Sequence, residues 1–346
     1  MNLLRQITSS SMFSPLLALF LILLFNFIVQ PGFLSFEIRD GRLFGGAVTI
    51  LNRSVPVMLL AIGMTLVIAT GGVDLSVGSV LAIGSAVSIS LIRGGDINPT
   101  ADTAMPLIFV VLITMLVGIA FGLWNGVLVA KIGMPPVVAT LILMVAGRGL
   151  TQNITRERSL TTGHLPFGEI ANGFTFGIPN QIWIAAIVFL AFWVLARRTA
   201  FGLFVETAGA NRSAANHAGI NATRVLLIVY ALSGLCASIA GILSASNVRV
   251  IEPMNTGQNM ELDAILAVVL GGTSMNGGKF NLGGSCVGAI ILMALTQTMF
   301  FYGVPVEFAL SIKAIVIVII VIVQSPTTQK FVSSQFKVFN RGEGAL

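Results

Sequence analysis

Apolar runs follow one another along this chain from about residue 14 to residue 324, with only short polar connectors between most of them. A run of roughly 20 apolar residues suffices for a helix to cross a bilayer, where every backbone N–H and C=O must be paired within the segment. Ten spans are predicted, near 14–30, 48–70, 75–92, 105–130, 136–152, 181–196, 223–246, 262–271, 283–301 and 307–324. Hydrophobic residues make up 55% of the chain, charged residues 9%, and the mean hydropathy is +0.96, so little is left over for a soluble domain. The expectation is an all-α, polytopic membrane helix bundle of about ten transmembrane helices, with residues 1–346 as one transmembrane domain.

Two of the runs are unusual. The stretch LDAILAVVLG, 262–271, is too short to cross alone and leads directly into glycine-rich sequence, which reads as a half-helix. The first run follows a weakly basic start with only Arg5, and no small-residue cleavage site is evident after it, so it is read as a retained helix rather than a signal peptide. Cys236 and Cys286 both fall in apolar segments and are read as packing residues.

Orientation rests on one connector. Residues 197–222 carry Arg197, Arg198 and Arg212, Arg224 follows, and Glu206 opposes them; the tail adds Lys330, Lys337 and Arg341. Positive loops stay in the cytoplasm, so this segment and both termini are expected inside. The same bias accounts for the net charge of +6 without any nucleic-acid partner.

The chain also shows an internal echo. ATGGVDLSVGS at 69–79 aligns with VLGGTSMNGGK at 269–279, an offset of 200 that matches Gly71, Gly72 and Gly78 with Gly271, Gly272 and Gly278. In each half an apolar helix would run into a glycine-rich break and then into a second apolar segment. Matched broken helices in two related halves point to a translocation site, parallel or inverted.

Within the first break stands Asp74. An ionised group at the bilayer centre costs about 2.5–3.5 kcal/mol, so Asp74 should face the bundle interior, either capping the following helix or contacting a substrate. Lys313 is the other stranded charge and either snorkels toward Glu307 or pairs inside the bundle. Arg148 reads as an interface anchor or a hydrogen-bond donor, and Glu261 and Asp263 suit the positive end of a helix dipole. In FGLWNGVLVAK, Trp124 and Asn125 have the chemistry to stack on and hydrogen-bond to a neutral sugar, while Gly118, Gly122 and Gly126 equally describe a close-packed helix face. Asp74, Trp124, Asn125 and Asn276 are the candidate substrate-pathway residues.

Enzyme signatures fail on inspection. GGTSMNGGKF lacks the Ser or Thr after Gly278-Lys279 and has Thr273 where a phosphate-binding loop needs its first glycine. His164 and His217, the only histidines, have no ligand-spaced partners, so no metal site is suggested.

The phrases LLAIGMTLVIATGGVDLSVGSVLAIG, FGLWNGVLVA, VATLILMVAGRG, GINATRVLLIVYALSGLCASIAGI and LDAILAVVLGGTSMNGGKFNLGGSCVGA resemble the permease subunits of bacterial ABC-type monosaccharide importers. The branch is that of ribose and galactofuranose, and ILNRSVPVMLLAIGMTLVIATGG with LMVAGRG leans toward the galactofuranose side. The likeness runs from about residue 40 to the last span.

That resemblance implies a chain in the bacterial inner membrane beside a second permease, identical or paralogous. It implies a cytoplasmic ABC ATPase that holds the ATP and magnesium, and a periplasmic sugar-binding protein. This chain would bind no cofactor itself and would not be an enzyme. The ATPase-docking segment maps to 206–219, with Glu206, Gly209, Asn211, Ala215 and Gly219 as its coupling residues. The outer connector 155–181 either faces the binding protein or covers the bundle. The competing expectation is a secondary sugar transporter driven by an ion gradient, which needs a titratable cluster that Asp74 and Lys313 barely supply.

Overall fold

The computed structural model describes residues 12–29, 31–94 and 105–324. Arg5, Lys330, Lys337 and Arg341, named above for their charge, fall outside them.

The chain is built of helices. α1 (Phe13–Val29) leads through a short 3-10 turn and the hairpin β1–β2 (Glu37–Arg39, Arg42–Phe44) to α2 (Gly46–Ala69) and α3 (Val77–Arg93). α4 (Leu107–Ala130) and α5 (Pro136–Thr155) follow, then a layered connector of β3 (Leu160–Thr161), α6 (Leu165–Asn172) and the hairpin β4–β5 (Phe174–Thr175, Ile178–Pro179). After α7 (Asn180–Arg198) come two short helices, α8 (Ala200–Ala210) and α9 (Arg212–His217), and then α10 (Ala222–Val248). β6 (Val250–Ile251), α11 (Met260–Leu270), α12 (Leu282–Phe301) and α13 (Val306–Gln324) complete the order.

Among the described residues six helices are long and apolar enough to cross a membrane: α2, α4, α5, α7, α10 and α12. α1 and α3 have 17 residues each and α11 has 11. The six divide by burial. The apolar windows of α2, α10 and α12 are 78%, 67% and 61% buried, whereas those of α4, α5 and α7 are 22–28% buried. The first three therefore form the middle of the bundle. The others turn side chains such as Leu116, Val145 and Ile187 outward, a surface suited to lipid or to another membrane helix and not to water.

Close approach at the centre depends on small residues. A Cβ on Gly118 or Gly122 of α4 would run into the backbone of α10 at Gly234 or Tyr230, and Gly63 of α2 lies against Ser233 and Cys236 of the same helix. This is the packing expected where apolar helices associate without a hydrophobic difference from their solvent. Cys236 and Cys286 are free and buried in this core.

At one end of the bundle β3 pairs with β6, joining the 155–181 connector to the end of α10. α6 lies on α10, burying Phe167 and Ala171, and Ser246 of α10 accepts from the Ala171 N–H and donates to the Phe167 carbonyl. His164 acts here as a cap, its Nδ1 accepting from the Phe167 N–H.

Candidate functional site

α2 ends in a glycine turn. The Gly71 N–H donates to Ile68 O at 2.8 Å and the Gly72 N–H to Val67 O at 3.1 Å, with Gly71 at φ +77, a conformation that only glycine adopts without strain. The chain then turns back. The Asp74 side chain reaches Ser233 of α10, which also packs on Gly63 of α2, so this non-helical segment lies against the bundle interior.

Non-helical backbone at that depth needs partners, and three helices supply them. Asp74 is 1% exposed. Its Oδ1 accepts from the Ser76 N–H at 3.0 Å and the Ser76 hydroxyl at 2.6 Å, and its Oδ2 accepts from the Ser233 hydroxyl of α10 at 3.0 Å. Asn125 of α4 donates to Ser76 Oγ at 2.8 Å, and Thr140 of α5 accepts from the Leu75 N–H at 3.1 Å. The carboxylate closes a turn at the head of α3 and ties that turn to α10, with every bond coming from a neutral donor. Ser76, Ser233 and Thr140 were not singled out from the sequence. The Asp-Leu-Ser spacing is a local signal for Ser76, but nothing local marks the other two.

The structure separates two neighbours that sequence chemistry had paired. Successive residues on a helix point about 100° apart, so while Asn125 is buried at the break, Trp124 is 57% exposed on the outside of α4. They do not form one stacking and hydrogen-bonding site. Asn276 is exposed on the loop after α11, its N–H donating to Ser274 Oγ, and it does not join the Asp74 network.

The second break repeats the first, but one residue later than the sequence alignment placed it. The Gly272 N–H donates to Val269 O at 2.9 Å, the Thr273 N–H to Val268 O at 3.2 Å, and Gly272 has φ +80. Gly71 thus corresponds to Gly272 at an offset of 201, and Gly271, at φ −71, occupies the place of Thr70. Gly78 and Gly278 are not equivalent either. Gly278 has φ +88 in the loop, whereas Gly78 is inside α3, bare because Gly257 O and Glu261 press against its Cα.

Both breaks meet at one junction. The Gly278 N–H donates to the Ala69 carbonyl, the last of α2, at 2.9 Å. Beneath them lies Gly209 of α8, where a Cβ would overlap that same carbonyl and crowd the Gly278 nitrogen; Gly277, at φ +82, packs on Gly209 O and Gly71. The segment that follows α7 is thereby fixed to both breaks. Arg197 donates to Phe280 O at 3.1 Å and stacks on its ring, and lies 3.9 Å from Glu206. Asn211 caps α9 by accepting from the Ala214 N–H, Ala215 is buried, and Gly219 at φ +82 turns the chain toward α10.

Of the remaining charges near the centre, Arg148 and Lys313 are engaged, whereas Glu261 of α11, 7% exposed, leaves its Oε2 without a hydrogen-bond partner among the described residues. Arg148 of α5 donates to the Thr256 and Gly257 carbonyls at 2.6 and 2.8 Å, holding the loop that descends between β6 and α11. Lys313 pairs with Asp263 at 2.6 Å, with the two side chains 12% and 24% exposed, which makes it a partner inside the bundle.

Comparison with known proteins adds the relationship. The model of a family described as branched-chain amino acid transport system / permease component matches residues 46–321. The galactofuranose transporter permease protein of Escherichia coli (strain K12) is 46% identical over 318 residues, covering 92% of this chain and 90% of its own. The fructose import permease protein FruF of Bifidobacterium longum (strain NCC 2705) is 38% identical, covering 94% and 90%. The ribose import permease protein of Escherichia coli (strain K12) is 39% identical, covering 80% and 84%. No solved structure matches.

Proposed function

The chain belongs to the family of branched-chain amino acid transport system permease components, and from that premise we propose that it is the membrane permease subunit of an ATP-driven importer of a monosaccharide. It sits in the bacterial inner membrane and hydrolyses no ATP itself; that step belongs to a separate ATPase subunit. The family description names amino acids, but the galactofuranose, fructose and ribose permeases at 38–46% identity favour a sugar as cargo.

The observation that carries the mechanism is the junction of Ala69, Gly209 and Gly278. A segment on the cytoplasmic side, held against the ends of two broken helices, passes any displacement to both of them at once. In our reading the partner ATPase seats on residues 206–219, with Glu206, Gly209, Asn211, Ala215 and Gly219 shaping the contact. ATP binding moves that segment, and a second permease copy or paralogue completes the pathway. A periplasmic binding protein delivers the sugar from the side of the 155–181 connector. ATP and magnesium are then held by the partner.

On the same reading α1, α3, α11 and α13 complete about ten passes with the six longer helices, the short α11 serving as a half-helix. The shared turn geometry at Gly71 and Gly272 supports descent of the two halves from one repeat. Asn125 and Asp74 then shape the pathway wall by fixing the first break.

A carrier driven by an ion gradient is less well supported. Asp74 spends both oxygens on serines, and Lys313 is paired with Asp263. The test is uptake of radiolabelled galactose, ribose and fructose into proteoliposomes holding this chain with its ATPase and binding protein. ATP-dependent uptake is expected. Uptake by this chain alone in response to a sodium or proton gradient would overturn the proposal.

A further inference from the structure

At the end of the bundle opposite the glycine junction, an open cavity of about 650 Å³ lies between the first half of α2, the last residues of α10 and α12, and the two hairpins β1–β2 and β4–β5. Its size falls within the range of about 300–1,000 Å³ typical of small-molecule sites. We infer that this cavity is a monosaccharide docking site within the single chain, in which Asn52, Arg53 and Asn247 bind hydroxyls and Phe44, Phe174 and Phe300 supply the apolar wall. The inference rests on the importer reading and adds to it a place and a set of ligands.

Four observations converge. First, Asn52 lines the cavity, and its side-chain oxygen is screened from solvent with no hydrogen-bond partner among the described residues, so a turn of this amide toward the cavity exchanges an unsatisfied acceptor for one that a hydroxyl can reach. Its backbone carbonyl is short of a donor as well, because Pro56, four residues on in α2, has no N–H to return to it.

Second, two of the polar side chains in the lining are free, while the Thr49 and Thr296 hydroxyls donate to their own helices. No hydrogen bond or ion pair engages the side chains of Arg53 and Asn247 among the described residues, in contrast to Arg148 and Lys313, which are both engaged within the bundle. Third, Arg53 enters a lining that contains no carboxylate, so its fork of N–H groups is available for a pair of neighbouring hydroxyls.

Fourth, the aromatic wall is pre-ordered. Phe44 and Phe174 lie with ring centroids 5.3 Å apart, and Arg42 stacks on Phe174 at 5.3 Å, which joins the two hairpins over the cavity. A pyranose or furanose ring presents an apolar face of C–H groups and an edge of hydroxyls, and this lining matches both. α2 links the cavity to the first break, since Asn52 and Ala69 lie on one continuous helix. Sugar docked at one end is thus joined by one continuous helix, with Pro56 inside it, to the junction that the partner moves.

Two measurements test the site. In proteoliposomes holding the complete importer, Asn52→Ala and Asn247→Ala are expected to lower ATP-dependent uptake by about tenfold and to change the ratio of ribose to galactose to fructose carried, since each removes about one hydrogen bond to a hydroxyl. Elution profile and melting temperature establish that each variant is folded. Should Asn52→Ala fail to assemble, Asn247→Ala, near the very end of α10, decides the question. Unchanged uptake and an unchanged sugar ratio in the folded variants would overturn the site.

The second measurement is equilibrium binding of each radiolabelled sugar to the purified chain without binding protein or ATPase. Binding at millimolar concentration, lost in Arg53→Gln, supports the cavity even if uptake is not ATP-driven. Absence of binding by the wild-type chain removes the cavity proposal and leaves the importer reading, which the uptake assay decides.

Discussion

The Gly278 amide donates to the Ala69 carbonyl across 2.9 Å, joining residues 209 positions apart in sequence at the foot of the bundle. Ala69 ends the helix before the first break and Gly278 lies in the second, so one hydrogen bond connects the two broken elements directly. Gly209 seals the contact from below.

Substituting Gly209 should be costly out of proportion to its size. Gly209→Ala places a Cβ into backbone at Ala69, and backbone cannot swing aside as a flexible side chain can. A loss of about 1–3 kcal/mol is expected from overpacking, with at least a tenfold fall in ATP-dependent uptake. Gly149→Ala is the comparison, because nothing lies within 4 Å of its Cβ position and helix propensity favours the change by about 0.5–1 kcal/mol. Equal uptake by the two variants would show that the junction transmits nothing.

Asp74→Ala should impair assembly and transport together. It leaves the Ser76 amide and the Ser233 hydroxyl without their acceptor in a buried turn, at about 1–3 kcal/mol for each. Asp74→Asn retains one acceptor oxygen and should fall between. Melting of the detergent-purified complex beside uptake measures both effects. A D74A complex that assembles and melts normally yet no longer moves sugar would instead assign Asp74 to the cargo.

Arg148→Lys tests the descending loop. The guanidinium spans two adjacent carbonyls, Thr256 and Gly257, and an ammonium cannot reproduce that fork. Each bond to a charged group is worth about 1.5–3 kcal/mol, and the expected outcome is faster amide exchange across residues 252–259. Protection equal to wild type would remove Arg148 from this role.

The Asp263–Lys313 pair calls for a double-mutant cycle. Lys313→Met strands a mostly buried carboxylate, and Asp263→Leu strands the ammonium, so each alone should destabilise more than the two together. A coupling of about 0.5–3 kcal/mol is expected from the melting transitions of the four proteins. Additive losses would mean that the contact contributes nothing to stability.

Much of the architecture was legible from local signals. Apolar runs announced the membrane bundle, the short run before Gly271 gave α11, and the glycines marked both turns that end a helix, because helix length, solvent preference and positive φ are properties of a few consecutive residues. Asp74 was legible as a buried carboxylate in need of partners.

What the residues alone determined was therefore a polytopic helix bundle with two glycine-rich interruptions and no catalytic constellation. The tertiary structure decided the rest. It selected Ser233, 159 residues away, as a partner of Asp74, turned Asn125 inward and Trp124 outward on one helix, matched the turn at Gly71 with Gly272 instead of Gly271 and made Gly78 a contact point instead of a break. Each of these depends on which helix faces which and at what rotation. Packing sets that through sub-ångström fits between distant backbones, and similar letters at a fixed spacing do not encode it.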